Sequence, residues 1–316
     1  MVYLRLTGRA LINLHSANAE GAVGNYMSLS KMFVVRRTAE GIDVSEEPVI
    51  SGNMVKHWHA VALVDLLKSW GYDKLCENCS RHVMFRSNLG LNDEIEYIEK
   101  CAIEDLHGFL DPNKQIRRES VCKFSFIIPV EDIRAEYSAV THNRVVINEK
   151  GAVATEQAMM IMKREYASGL YGFGCTMDLA YAGRSQSNPS KVIDVNERKI
   201  RIKAAILSLG HVFSGQVGAA QARALPIMKV TEAIILISRR PIPNAIHGFY
   251  MDYAEETAGI LKALVEKGFL SEGDFKVYAV GSEPVKALRE VGLVFEEKKS
   301  LSEAIACAAE DVEKWL

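Results

Sequence analysis

No apolar run of about 18 residues, the length a helix needs to cross a bilayer, occurs in this 316-residue sequence. Its start, MVYLRLTGRA, lacks the apolar segment and small-residue cleavage site of a secretory leader. Both absences lead us to expect a cytoplasmic protein with no membrane partner. Cysteine is sparse, at 6 residues, which is too few for a disulfide scaffold. In a reducing compartment these are thiols or metal ligands, most of them core residues. Excess charge of either sign is missing too. The 38 basic and 40 acidic residues give a net charge of -2, so any grip on nucleic acid must come from a local concentration of Lys and Arg. There is no GK[ST] phosphate loop, no HExxH zinc helix and no ordered acid–base dyad. Asp178 and Asp194 stand as isolated carboxylates with structural or capping roles, and neither a catalytic residue nor a cofactor is expected.

What the sequence has is a core and a pattern. The hydrophobic share of 48% supplies a core. No Pro- or Ser-rich linker, internal repeat or low-complexity tract divides the chain, so we read one elaborated domain over 1–316. From Val2 to His15 residues alternate, with Val2, Leu4, Leu6, Ala10, Ile12 and Leu14 on one face and Tyr3, Arg5, Thr7, Arg9, Asn13 and His15 mostly on the other. The second face is either an ordinary solvated sheet surface or one offered to a polyanion, with Tyr3, Arg5 and Arg9 as its contact row. FVVRR and GIDVSEEPVI then read as a strand pair joined near Glu40 and Gly41.

Residues 53–70 read as a helix whose apolar stripe includes Val55, Ala60, Leu63 and Leu67. Its first turns carry Asn53, Lys56, His57 and His59 just after Ser51. Lys56 heads the row Lys56, Ala60, Leu63, Leu67, so it points along the packed face at its open end. A helix N-terminus offers unpaired N–H groups and the positive end of the dipole, and with Lys56 it could hold a phosphate. The alternative is a snorkelling lysine. His59, deeper along the apolar row, is assigned to packing.

Residues 71–120 break into short polar pieces and read as an insertion. Cys76-x-x-Cys79 with His82, Cys101 and His107 downstream contains zinc-ligand types, making Cys76 and Cys79 possible metal ligands. VCKFSFIIPV, 121–130, alternates as one strand. About forty residues separate it from the next strand, and this long connection is rich in donors, among them His142, Arg144 and Gln157, with Met159 as a soft contact. SGLYGFGCTMDLAYAG follows as a strand. Its GLYGFG has the spacing of no nucleotide loop, although YGFG is a partial echo of the glycine–aromatic motif of RNA-recognition domains. VNERKIRIKAAILSLGHVF is a second amphipathic helix. The loop SGQVGAAQARALP after it carries Gly215 and Gly218, which admit close backbone approach, and the donors Gln221 and Arg223. It reads equally as a plain helix-to-strand connection. The order strand, helix, strand, strand, helix, strand is that of a ferredoxin-like α+β fold, with the insertion and the long connection added. Helices near 252–268 and 301–315 around FKVYAVG form a C-terminal extension.

Through NLHSANAEGAVGN, PVISGNMVKHWHAVALVDLL, VTHNRV, YASGLYGFGCTMD and SGQVGAAQARALPIMKV, nearly the whole chain resembles the DevR/Csa-type members of the repeat-associated mysterious protein superfamily. These are backbone subunits of type I, especially type I-A, CRISPR interference (Cascade) complexes. The resemblance implies a ferredoxin-like palm (about 1–70, 121–130 and 166–316), a helical finger insertion (about 71–120) and a thumb (about 131–165). It implies copies polymerising helically along CRISPR RNA for antiviral defence, with other Cascade subunits as neighbours and target DNA reached indirectly through the guide. RNA contacts carried over by position fall on Ser51, Asn53, Lys56, His57, His142, Arg144, Gln157, Met159, Gly215, Gly218, Gln221 and Arg223. Many relatives have two adjacent glycines and more basic residues in the last loop, where this chain has Ala219 and Ala220 after Gly218. Dispersed donors along a groove suit a non-enzymatic RNA carrier. Two other readings stay open: a metal-dependent ribonuclease using a thumb carboxylate, and a transcriptional autoregulator, for which no helix-turn-helix signature is present.

Overall fold

The computed structural model describes residues 2–15, 19–23, 26–86, 89–131, 136–141, 161–218, 221–222 and 224–316. The fold is mixed α+β. In chain order it runs β1 (Tyr3–His15), β2 (Ala19–Val23), β3 (Tyr26–Leu29), the hairpin β4 (Lys31–Thr38) and β5 (Gly41–Pro48), then α1 (Gly52–Ser69). The segment that follows holds α2 (Glu77–Ser80), α3 (Glu94–Lys100), α4 (Ala102–His107) and the small hairpin β6 (Phe109–Asp111) and β7 (Ile116–Arg118). Next come β8 (Cys122–Phe124), β9 (Ile128–Pro129), β10 (Glu136–Thr141), β11 (Ile161–Met177), α5 (Val195–Phe213) and β12 (Ile227–Ser238). The C-terminal part is α6 (Tyr253–Glu266), β13 (Phe275–Val280), α7 (Ser282–Glu290), β14 (Glu296–Glu297) and α8 (Leu301–Trp315).

Among the described residues ten strands form one mixed sheet, ordered β14-β13-β12-β1-β11-β3-β2, with β8, β9 and β10 also paired to β11. β1 lies between β11 and β12 and is antiparallel to both. β8 and β9 are antiparallel to β11. The expected single strand over 121–130 is broken into these two pieces, because Ile127 leaves the ladder to exchange backbone hydrogen bonds with Ile50. The even-numbered face of β1 is apolar, as its alternation requires. Leu4, Leu6, Ala10 and Ile12 pack with Leu63 and Leu67 of α1, Ile206 and Leu209 of α5 and Ile305 of α8 in the larger core.

The opposite face of β1 is not open, which corrects the expectation for Tyr3, Arg5 and Arg9. They are only 6%, 5% and 7% exposed, because Tyr3 joins a second core with Tyr253, Ala254 and Ala258 of α6 and residues 239–252 cross over Arg5 and Arg9. Among the described residues this strap has no ladder partners for its carbonyls, and the polar side chains of β1 supply some. Arg5 donates to the carbonyls of Ile242 at 3.0 Å and Pro243 at 3.3 Å and pairs with Asp178 at 3.0 Å. Thr7 donates to Ile246 at 2.6 Å. Arg9 donates to Gly248 at 2.8 Å and Tyr250 at 2.9 Å, with its guanidinium over the Tyr253 ring. Arg5 and Arg9 are therefore occupied by this chain and leave the set of candidate RNA contacts.

The strap also accounts for GLYGFG. A Cβ at Gly172 would stand 2.1 Å from the Phe249 nitrogen, and one at Gly248 only 1.9 Å from the Gly8 oxygen. These glycines let two backbones touch. Tyr171 and Phe173 point the other way, into the larger core, so the echo of an RNA-recognition motif reflects packing.

Residues 71–120, read as polar pieces, contain a buried ion network. Arg118 pairs with Glu94 and with Asp105, both at 2.6 Å, and the second Asp105 oxygen meets Arg201 of α5 at 2.9 Å. Burial pushes the Glu94 carboxyl up, but the N–H groups of Gln186 and Ser187 and the hydroxyls of Ser185 and Ser187 outweigh it and hold the group down at about 2.

Gly172→Ala is expected to cost roughly 2–3 kcal/mol in denaturant unfolding, because backbone must move to admit the methyl group. Gly259→Ala, on an exposed face of α6 with nothing near its missing Cβ, is expected to stabilise by about 0.5–1 kcal/mol. Equal effects at the two positions would contradict the close approach.

Candidate nucleic-acid interface

Helix α1 begins where the chain turns off the sheet. Ser51 is extended (φ −69°, ψ 149°), and its Oγ accepts from the Met54 N–H at 3.2 Å, so it caps the helix. Gly52 has no room for a side chain, since a Cβ would lie 2.5 Å from the Phe124 oxygen. The helix therefore starts flush against β8. No acidic residue stands in its first turn, which leaves the positive end of the dipole uncompensated by this helix. Asn53 and His57 are exposed, and Lys56 is half-buried.

Lys56 enters an open cleft of about 480 Å³ whose walls include Phe85, Arg86, His107, Gly108 and Arg118. Burial, followed by the charge of Arg86, brings its ammonium down to about 8. A second cation at the mouth was invisible in the sequence reading. Arg86 sits in VMFRS, and only its basic residue beside an aromatic could have signalled it. His57 is also lowered, by partial burial and then by the charge of His82.

Behind Lys56 lies a histidine pair. His59 is fully buried, as its place in the apolar row predicts. Its Nε2 is 2.8 Å from the Ala205 carbonyl, which can only accept, so Nε2 carries the proton. His59 Nδ1 then accepts from His107 Nε2 at 3.0 Å. Among the described residues His107 Nδ1 has no partner. Burial holds His59 down at about 4, and burial with the charges of His59, Lys56 and Arg86 holds His107 well below its ordinary value.

The His59–Ala205 contact also fixes how the helices pack. Tyr72, beyond the C-terminal end of α1, bonds Arg201 at 2.7 Å and Glu197 at 3.4 Å, nearer the start of α5. The helices are antiparallel. The entrance of α1 and the glycine loop after α5 therefore lie at the same end of the helical layer. In that loop Gly215 (φ +102°) and Gly218 (φ +117°) are left-handed, conformations that L side chains rarely take. Gln221 Nε2 is buried with no hydrogen-bond acceptor among the described residues. The structure thus brings Ser51, Asn53, Lys56 and His57 to the end that also carries Gly215, Gly218 and Gln221. His142, Arg144, Gln157, Met159 and Arg223 lie outside the described residues.

Both histidines have folded-state values below the ordinary 6.5. The stability they permit is whole above that pH and lost as pH falls through the window toward about 4. Unfolding free energy is expected to drop there by up to about 1.4 kcal/mol per pH unit for each ring. His107→Gln should remove one ring's share of the slope, and a flat profile in the native protein would contradict the neutral pair.

Comparison with known proteins bears on the family and the fold. The family model described as "CRISPR-associated negative auto-regulator DevR/Csa2" matches residues 6–258. A protein of Methanocaldococcus jannaschii named "CRISPR-associated protein Cas7/Cst2/DevR" is 41% identical, covering 92% of this chain and 98% of its own length. One of the same name from Thermoproteus tenax is 39% identical, over 84% and 83%. The "CRISPR-associated aCascade subunit Cas7/Csa2 2" of Saccharolobus solfataricus is 28% identical, over 88% and 92%. Among solved structures, a chain of a "CRISPR RNA-guided surveillance complex" superposes with a TM-score of 0.53 at 13% identity, covering 98% of this chain and 99% of that one, a likeness of fold. With the family model spanning most of its length and relatives this similar, the chain belongs to the DevR/Csa2 family of CRISPR-associated proteins.

Proposed function

We propose that this chain is a CRISPR RNA-binding backbone subunit of a type I-A interference complex, holding the guide without catalysis while copies polymerise along it in the cytoplasm. The observation that carries this reading is the shared end of the helical layer, which carries the Lys56 cleft, the capped entrance of α1 and the left-handed glycines of the α5 loop. Such a site suits phosphate and sugar and leaves base edges free. The names of the Saccharolobus relative and of the superposing assembly support a place in a guide-bearing complex. Other subunits of that complex, and target DNA paired to the guide, are its proposed further partners.

The palm of this proposal is the antiparallel order β12-β1-β11-β8, with α1 and α5 as crossovers on one face. That order supports a ferredoxin-like reading of the palm. The fingers are then residues 71–120, and the thumb is 131–165. The thumb contacts His142, Arg144, Gln157 and Met159, together with Arg223, rest on the sequence resemblance. Of the thumb carboxylates, Glu165 is committed to the Leu29 N–H at 2.8 Å and Lys31 at 3.1 Å, which favours a non-enzymatic role for it.

Lys56→Ala is expected to weaken single-stranded RNA binding by roughly tenfold and to lower the salt slope by about 1. Because the Lys56 ammonium sits at about 8, native affinity should hold below that pH and fall as pH rises through it. Lys56→Arg, charged throughout, should abolish the alkaline fall. RNA affinity unchanged in a folded Lys56→Ala protein, or magnesium-dependent RNA cleavage with turnover, overturns the reading.

A further inference from the structure

Three thiols converge where the 71–120 segment meets the base of α1. Cys76 precedes α2, Cys79 lies in α2, and Cys101 joins α3 to α4. All three are at most 2% exposed, and their Sγ atoms lie within 4.8 Å of one another. The two segments are stitched together beside them by the Ala102 N–H on the Lys74 carbonyl at 2.9 Å. We propose that Cys76, Cys79 and Cys101 are the thiolate ligands of one zinc ion that fastens this segment to the end of α1.

The spacing suits the ion. Tetrahedral zinc with Zn–S near 2.3 Å places sulfurs about 3.8 Å apart, inside the 4.8 Å that bounds the three Sγ atoms. The backbone is arranged for thiolates as well. The N–H groups of Asn78 and Cys79 are directed at Cys76 Sγ, and that of Cys76 at Cys101 Sγ. Such amides stabilise sulfur that carries negative charge. Around them is apolar core, including Leu67 and Ala102, where thiolates need a cation. A dication meets that need. On binding, each thiol yields its proton to solvent and its lone pair to the metal, so three protons leave for one zinc.

The histidines that the sequence offered as further ligands are engaged elsewhere. His82 Nε2 is 2.8 Å from Asp65, and His107 is 3.0 Å from His59. Among the described residues no fourth His, Cys, Asp or Glu joins the group, so the fourth position falls to a small exogenous ligand such as water.

The test uses the full chain, purified under reducing conditions, depleted with a chelator and reloaded with zinc alone. Metal analysis with zinc-edge X-ray absorption should find one zinc per chain, bound by three sulfurs and one lighter atom. Cobalt in its place should give the thiolate-to-metal charge-transfer band and release three protons, and His82→Ala should leave both unchanged. Zinc removal should lower the melting temperature by several degrees. No zinc uptake, fewer than three sulfur ligands, loss of the cobalt band in His82→Ala, or an intact mass two hydrogens short, marking a disulfide, each overturns the proposal. The native chain decides the matter even where Cys76→Ser or Cys101→Ser fails to fold.

Discussion

The carboxylate of Asp105 ties together elements that are distant in sequence. It accepts from Arg118 at 2.6 Å, from Arg201 of α5 at 2.9 Å and from the Gly183 N–H at 2.9 Å, all within the interior. Two buried guanidiniums depend on it and on its neighbour Glu94. Removing one partner of such a buried set leaves charge uncompensated and typically costs about 3–5 kcal/mol. Asp105 thus clamps α4 and β7 to α5. Those same pieces supply His107, Gly108 and Arg118 to the wall of the Lys56 cleft. The shape of the cleft is set by a carboxylate that need not touch any ligand.

A second constraint acts across the sheet. The strap of residues 239–252 lies directly on the backbone of β1 and β11, admitted by Gly172 and Gly248 and held by Arg5, Thr7 and Arg9. A sheet with helices on one face is free to offer its other face to a ligand, but here that face is filled by the chain itself. On the proposed reading the groove for RNA lies instead at the end of the helical layer. There α1 presents its N-terminus and α5 delivers the glycine loop.

Much of this was legible in the sequence, for a physical reason: strong periodicity marks elements whose one face is buried. The 3.6-residue rows of α1 and α5 and the alternation of β1 appear where they were read. The cap at Ser51 and the burial of His59 follow from local pattern as well. What failed was long-range. Arg5 and Arg9 alternate like solvent-facing residues, and nothing in their own strand announces a strap more than 200 residues away. The network of Glu94, Asp105 and Arg118 lies in short pieces with no sustained period, so the segment read only as a polar insertion and nothing marked its charges as buried. Cys101 could not be joined to Cys76 and Cys79 by spacing alone, and His82 was the more obvious neighbour. Ile127 broke a well-patterned strand because a contact with Ile50 outweighed β-propensity.

The central claim is that nucleic acid is held at the end of the helical layer and not on the sheet. Photocrosslinking to single-stranded RNA carrying a thio-substituted base, with the adducts located by peptide mass spectrometry, addresses it directly. Adducts are expected on the first turns of α1, residues 51–57, and on residues 214–223. Adducts confined to the strap over β1, residues 239–252, or an even scatter over the surface, would contradict it.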